Sequence, residues 1–124
     1  YPYLVAEDEN GRLLGYAYTH TFIAREAYDH CAESTIYLAL DARKHGLGKR
    51  FYRAIEELSL AQNIYNLYTC IGVFTRSGYK LGRWYNMSWA EKLLCDAPAH
   101  PDPVIPFPQL DKALVADILR RAAE

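Results

Sequence analysis

The stretch "DARKHGLGKR", Asp41 to Arg50, sets Gly46 and Gly48 two positions apart among Arg43, Lys44, His45, Lys49 and Arg50. Residues of these types, so spaced, suit the capture of an anion. Consecutive backbone N–H groups in a glycine turn converge on one point, and a helix starting behind them adds the positive end of its dipole, so a diphosphate can be held by backbone alone. Without Cβ atoms the glycines let the ligand come close, and the five basic side chains supply further donors. Two common phosphate loops are excluded by their spacing. The nucleotide P-loop requires G-x-x-x-x-G-K-[ST], and the dinucleotide fingerprint requires a third glycine where Phe51 stands. Glycines ahead of a helix also serve as plain turn residues, and R-x-x-G-x-G alone leaves that reading open.

The surrounding pattern supplies the elements that such a turn needs. "ESTIYLAL" (33–40) is rich in β-branched and aromatic residues and predicts a buried strand running into the turn. From Leu47 the apolar residues Phe51, Ala54, Ile55, Leu58 and Ala61 recur at helical spacing to about Gln62. "NLYTCI" (66–71) is the next strand, and a strand–helix–strand unit sets its two strands parallel. Before it, Tyr3–Glu7, the turn "DENG" and Arg12–His20, with Leu14, Tyr16 and Tyr18 on one face, predict a hairpin. After it, only Gly72 separates 66–71 from the strand-like 73–77, too little for a turn. The two are one continuous strand, or a connecting segment is missing. "SGYKLGRW" then predicts a second hairpin, with Tyr85, Met87 and Trp89 alternating against Asn86, Ser88 and Ala90. Five prolines from Pro98 to Pro108 block regular structure and predict an extended tail. A short helix follows from Asp111, with Leu110, Leu114, Val115 and Ile118 as its stripe and Arg120 and Arg121 at its end.

Composition narrows the class. The 124 residues are one domain's worth, and 14 basic against 15 acidic side chains give a net charge of −1, which does not mark a nucleic-acid binder. Cys31, Cys70 and Cys95 have neither the number nor the spacing of a disulfide framework or a zinc site. No apolar run has membrane-spanning length and no signal peptide opens the chain, so a cytoplasmic protein without a metal is expected. Tyr1 stands directly at a strand, as though the N-terminus were clipped.

Together these residues resemble a family. "ESTIYLALDARKHGLGKRFYRAIEEL" is similar to the motif of the GNAT N-acetyltransferases, in which R-x-x-G-x-G/A follows the central strand and holds the pyrophosphate of acetyl-CoA. "AYDHCAEST", "GYKLGRWYNM" and "PDPVIPFPQL" resemble the phosphinothricin N-acetyltransferase branch. The resemblance implies an α/β GNAT fold: a mixed central sheet flanked by helices over 1–95, with a proline-rich tail and helix at 96–124. It implies acetyl-CoA as co-substrate and a small amino-acid-like amine as acceptor, and it allows a homodimer.

Residue by residue, the resemblance implies that Ile36, Tyr37 and Leu38 pair through their backbone with the pantetheine arm, the Leu38 N–H facing the thioester oxygen. Arg43, Lys44, His45, Gly46, Leu47, Gly48 and Lys49 would form the diphosphate turn. Glu33 becomes the general base, against the plainer alternative of a solvated carboxylate at a strand end. Tyr28, Tyr79, Arg83 and Trp84 would line the acceptor site, with Arg83 pairing a carboxylate, against ordinary packing among eleven tyrosines and two tryptophans. His20, His30 and His100 are taken as surface or structural. Two departures stand out. Family members carry a helical segment between the strands at 66–71 and 73–77, and a strand and helices before this chain's first residue, so an N-terminal and a mid-chain segment are expected to be missing from the sequence as given. Leu81 also replaces the His that the herbicide-detoxifying members have after "GYK". A catalytically silent module that binds CoA or a protein is the alternative class.

Overall fold

A computed structural model describes the backbone of all 124 residues and the side chains of residues 1–70, 79, 81–84 and 90–124. Five strands form one sheet in chain order: β1 (Tyr3–Glu7), β2 (Leu13–Thr21), β3 (Cys31–Leu38), β4 (Asn66–Lys80) and β5 (Arg83–Leu93). All neighbours are antiparallel except β3 and β4, whose connection is the helix α1 (Leu47–Ala61). A second helix, α2 (Lys112–Ala123), packs against α1.

Helix α1 lies on the sheet because its apolar stripe matches a floor of small residues. Phe51, Ala54, Ile55 and Leu58 are buried against Ala17 and Ala32, both fully enclosed, and against Leu4, Ile64 and Leu67. On the opposite face of the sheet the side chains alternate outward, and Tyr3, Tyr16, Tyr18 and Tyr37 form a row of rings with neighbouring centroids 5.1–5.7 Å apart across the strands.

Strand β3 starts at Cys31 and ends at Leu38, two residues earlier at each end than "ESTIYLAL" suggests. Ala42 turns back to donate to the Ala39 carbonyl at 3.0 Å, and Asp41 pairs with Arg12 of the β1–β2 turn, which takes 40–42 out of the strand. That pairing holds the Asp41 carboxyl below its usual range and raises the Arg12 guanidinium.

The Gly72 junction resolves into one continuous strand, since β4 runs from Asn66 through Lys80. The hairpin turn comes at Leu81 and Gly82, whose φ values of 53° and 77° are those of a tight two-residue turn. The expected alternation of Tyr85, Met87 and Trp89 falls on side chains outside the described residues.

The tail is docked rather than loose. The Ile105 N–H donates to the Gln62 carbonyl at 3.0 Å, the Gln62 amide returns a bond to the Ile105 carbonyl, and Asn63 donates to the Pro103 carbonyl at 2.9 Å. Asp111 caps α2 through the Leu114 N–H. Ile118 and Ala122 complete the core, while Leu114 of the expected stripe is 42% exposed.

Candidate functional site

The glycine turn lies where β3 gives way to α1. Gly46 is the residue before the helix, with φ 79°, and its carbonyl takes the first helical bond from Arg50 at 3.1 Å. No side chain caps this end and the first turn holds no acid. The leading N–H groups of a helix have no acceptor within it, so here they are left to solvent or a ligand. Arg43, Lys44, His45, Lys49 and Arg50 are all exposed around them, and Leu47 is half-buried.

The second feature is a gap in the sheet. The parallel ladder between β3 and β4 covers Cys31↔Asn66, Ala32↔Leu67 and Glu33↔Tyr68 and then stops. Beyond Glu33 the two strands part. The Ala39 N–H donates to Leu14 on β2 at 2.9 Å, and successive residues of a strand direct their backbone groups to alternate sides. Ile36 and Leu38 therefore point theirs into the gap, with Tyr37 turned toward β2. On the α1 side the gap opens into a cavity of about 740 Å³ bounded by Gly48, Lys49, Tyr52, Ser34, Leu67 and Thr69. It connects the glycine turn with the parting strands.

Glu33 is on the other face of the sheet, in a row that crosses four strands by register: His20, Glu33, Tyr68, Glu91. Its side chain is 19% exposed, and its Oε2 lies 3.5 Å from His20 Nε2. Tyr68 donates to Glu91 Oε1 at 2.7 Å. That bond, with partial burial, pushes the phenol up to about 12, so it keeps its proton throughout the neutral range. Phe22 stacks on Tyr68 at 4.0 Å, and Tyr28 meets Phe22 edge-on at 6.0 Å. Tyr28 is thus brought to the Glu33 side of the sheet.

Tyr79, Arg83 and Trp84 are elsewhere. Tyr79 pairs with Trp84 across the hairpin at 5.3 Å, both well exposed, and Lys80 pairs with Arg83 next to the turn. At roughly 3.3 Å per residue, the run along β4 from Tyr68 to Tyr79 spans on the order of 30 Å. The expected four-residue acceptor lining therefore divides into Tyr28 near Glu33 and a separate cluster at the hairpin tip. A single glycine cannot turn the chain, so the strand carries the cluster away. Leu81 at that tip is 86% exposed, so its departure from the resembled pattern says nothing about the surroundings of Glu33.

Sequence reasoning also missed Phe22, Tyr68, Glu91 and the placement of His20. Only His20 left a trace: the alternation of Tyr16 and Tyr18 continues to position 20 on the same face. Cys31 is held above the usual thiol range, mainly by burial.

The model of the acetyltransferase (GNAT) domain matches residues 1–81. This chain belongs to the GNAT acetyltransferase family. The phosphinothricin N-acetyltransferase of Streptomyces viridochromogenes is 32% identical to this GNAT chain, over 89% of the chain and 69% of the relative. The L-methionine sulfoximine/L-methionine sulfone acetyltransferase of Pseudomonas aeruginosa is 27% identical over 73% and 64%. Among solved structures, the phosphinothricin acetyltransferase of Sinorhizobium meliloti in complex with AcCoA superposes with a TM-score of 0.74 at 30% identity, covering 89% of this chain and 70% of that one. The match to the Streptomyces enzyme runs over 129 positions, more than the 124 residues of this GNAT chain, so that enzyme has residues inside the matched stretch without a counterpart here. The protein is an enzyme of the acetyl-transferring class. No metal-binding group of His, Cys, Asp and Glu occurs among the described residues, and no helix there is long and apolar enough to cross a membrane.

Proposed function

We propose that this GNAT domain transfers the acetyl group of acetyl-CoA to the amine of a small amino-acid-like acceptor. The observation that carries the reading is the early end of the β3–β4 ladder directly beside an uncapped, glycine-led helix start. The diphosphate would sit on the amides from Gly46 to Lys49, surrounded by Arg43, Lys44 and His45. The pantetheine arm would lie in the gap along Ile36 and Leu38 as an added strand does, bringing its thioester through to the face that holds Glu33. The Leu38 N–H would meet the carbonyl oxygen as it gains charge. Glu33 takes the ammonium proton, the freed amine attacks, the C–N bond forms and the C–S bond breaks. The nitrogen gives up its second proton as the adduct collapses, and the products are the acetamide, CoA as its thiol and a proton on Glu33. Most of the acceleration would come from this alignment.

The acceptor class rests on the names of the relatives, and Tyr28 and Phe22 give it an aromatic wall. The test is CoA release with phosphinothricin, methionine sulfone, methionine sulfoximine and the common amino acids. Glu33→Gln should lower kcat by roughly 10²–10⁴-fold while acetyl-CoA affinity holds, and higher pH should partly restore the rate by supplying free amine. Wild-type kcat and pH dependence in that variant would remove Glu33 from the chemistry. No turnover by the wild type with any amine, alongside acetyl-CoA binding, would favour the alternative of a silent CoA-binding module.

A further inference from the structure

Glu33 faces a histidine that no step above employs. His20 pairs with Glu33 in the β2–β3 register, and its Nε2 lies 3.5 Å from Glu33 Oε2. The other ring nitrogen, Nδ1, is 2.9 Å from the Thr21 carbonyl oxygen. A carbonyl only accepts, so Nδ1 carries the proton of the neutral ring and Nε2 presents its lone pair to the carboxylate. At 3.5 Å the two groups are near enough that a small side-chain shift lets a proton on Glu33 pass to His20.

We infer that His20 is the exit for the proton that Glu33 removes from the acceptor ammonium. The inference rests on Glu33 being the base. The proton passes from the substrate nitrogen to the Glu33 carboxylate, from there to His20 Nε2, and then to water, which returns both groups to their starting forms. Exposure sets the direction, since the His20 side chain is 44% exposed and that of Glu33 only 19%.

The other groups around the pair do not offer this route. Tyr68, beside Glu33 on β4, donates its proton to Glu91 and keeps it to about 12. Tyr18 flanks the imidazole at 5.9 Å, and the Tyr1 hydroxyl is engaged by Thr21 Oγ1 at 3.3 Å. A carboxylate that must shed its proton to bulk water while a bound acceptor covers it would turn over slowly. The imidazole at its edge removes that step from the covered side.

His20 is then a positioning residue that acts through Glu33, and its signature lies in kcat. His20→Ala should lower kcat on the order of tenfold, less than a directly acting base would cost, with KM for acetyl-CoA and for the amine unchanged. Added imidazole should restore kcat in proportion to its concentration. His20→Gln, which keeps the size of the side chain and a donor for Thr21 but cannot carry a proton, should be as slow as His20→Ala. In a Glu33→Gln background the His20 substitutions should cost nothing further and imidazole should have no effect. A His20→Ala enzyme within about twofold of wild-type kcat, or one that imidazole leaves slow, overturns the inference while a slow Glu33→Gln keeps the base reading intact. Wild-type kcat in Glu33→Gln overturns both.

Discussion

Gly46 and Gly48 differ in what a methyl group would meet. At Gly46 a Cβ points into open space but the φ of 79° belongs to the left-handed region, where a side chain costs about 1 kcal/mol. At Gly48 a Cβ would lie 3.6 Å from Leu38 Cδ1, an ordinary contact in a helical residue. Gly46→Ala should therefore weaken acetyl-CoA binding and lower stability, whereas Gly48→Ala should keep both. Calorimetric titration alongside thermal melts checks this, and unchanged acetyl-CoA affinity in a folded Gly46→Ala variant would place the anion elsewhere. Tyr68 gives a titration with a definite sign. Its phenol is raised from 10.0 to about 12 by the bond to Glu91 and by burial, so the bond's contribution to stability is complete below pH 10 and is lost as pH climbs through the folded value. Glu91→Ala should return the Tyr68 titration, followed by NMR of the ring carbons, toward its ordinary position.

At the scale of elements, the long β4–β5 hairpin makes a prediction opposite to the one drawn from motifs. Arg83 beside the tip turn is remote from Glu33, so Arg83→Ala should leave KM for the acceptor within about twofold. A large rise in that constant with acetyl-CoA KM unchanged would mean that the hairpin tip reaches the acceptor. The hairpin also shows what the sequence could and could not reveal. Helix α1 was legible because its 3.6-residue stripe is long and unbroken, and the β1–β2 pair because a turn signal separates two alternating runs. The Gly72 junction showed only that no turn fits there, and whether Tyr79 and Trp84 join Glu33 depends on where the chain reverses. The row His20, Glu33, Tyr68, Glu91 was hidden for a different reason: it is assembled by inter-strand register, and the four residues come from four separate segments. Helix α2 offers a further check. Asp117 binds Arg120 and Arg121, which hold its carboxyl below the usual range, and Arg121 reaches Glu57 of α1 at 2.8 Å. A depressed carboxylate stabilises above its unfolded pKa and ceases to as pH falls through the folded one. Asp117→Asn should thus lower the melting temperature at neutral pH and make little difference in strong acid; an equal change at both would mean the charge is irrelevant.

Over the whole molecule, one ligand touching β3, the glycine turn and α1 should couple them. Acetyl-CoA at a hundred times its Kd would add about 2.7 kcal/mol, or about 10 °C in melting temperature for a domain of this size. An unchanged melt at saturating acetyl-CoA would count against binding to the native state. The tail that runs from Pro103 through Ile105 and Phe107 to α2 places part of the core, Leu110, Ile118 and Ala122, among the last residues translated from this sequence. Domains fold as units during synthesis, N-terminal parts first, but a nascent chain released only as far as β5 would have its sheet and α1 while the side of α1 meant for α2 still faced water. Chaperones and proteases would meet that bare helix before the fold closed. Ribosomes stalled between Leu93 and Asp111 should accordingly hold a protease-sensitive α1, and those stalled beyond Ala122, with a spacer filling the exit tunnel, a resistant one.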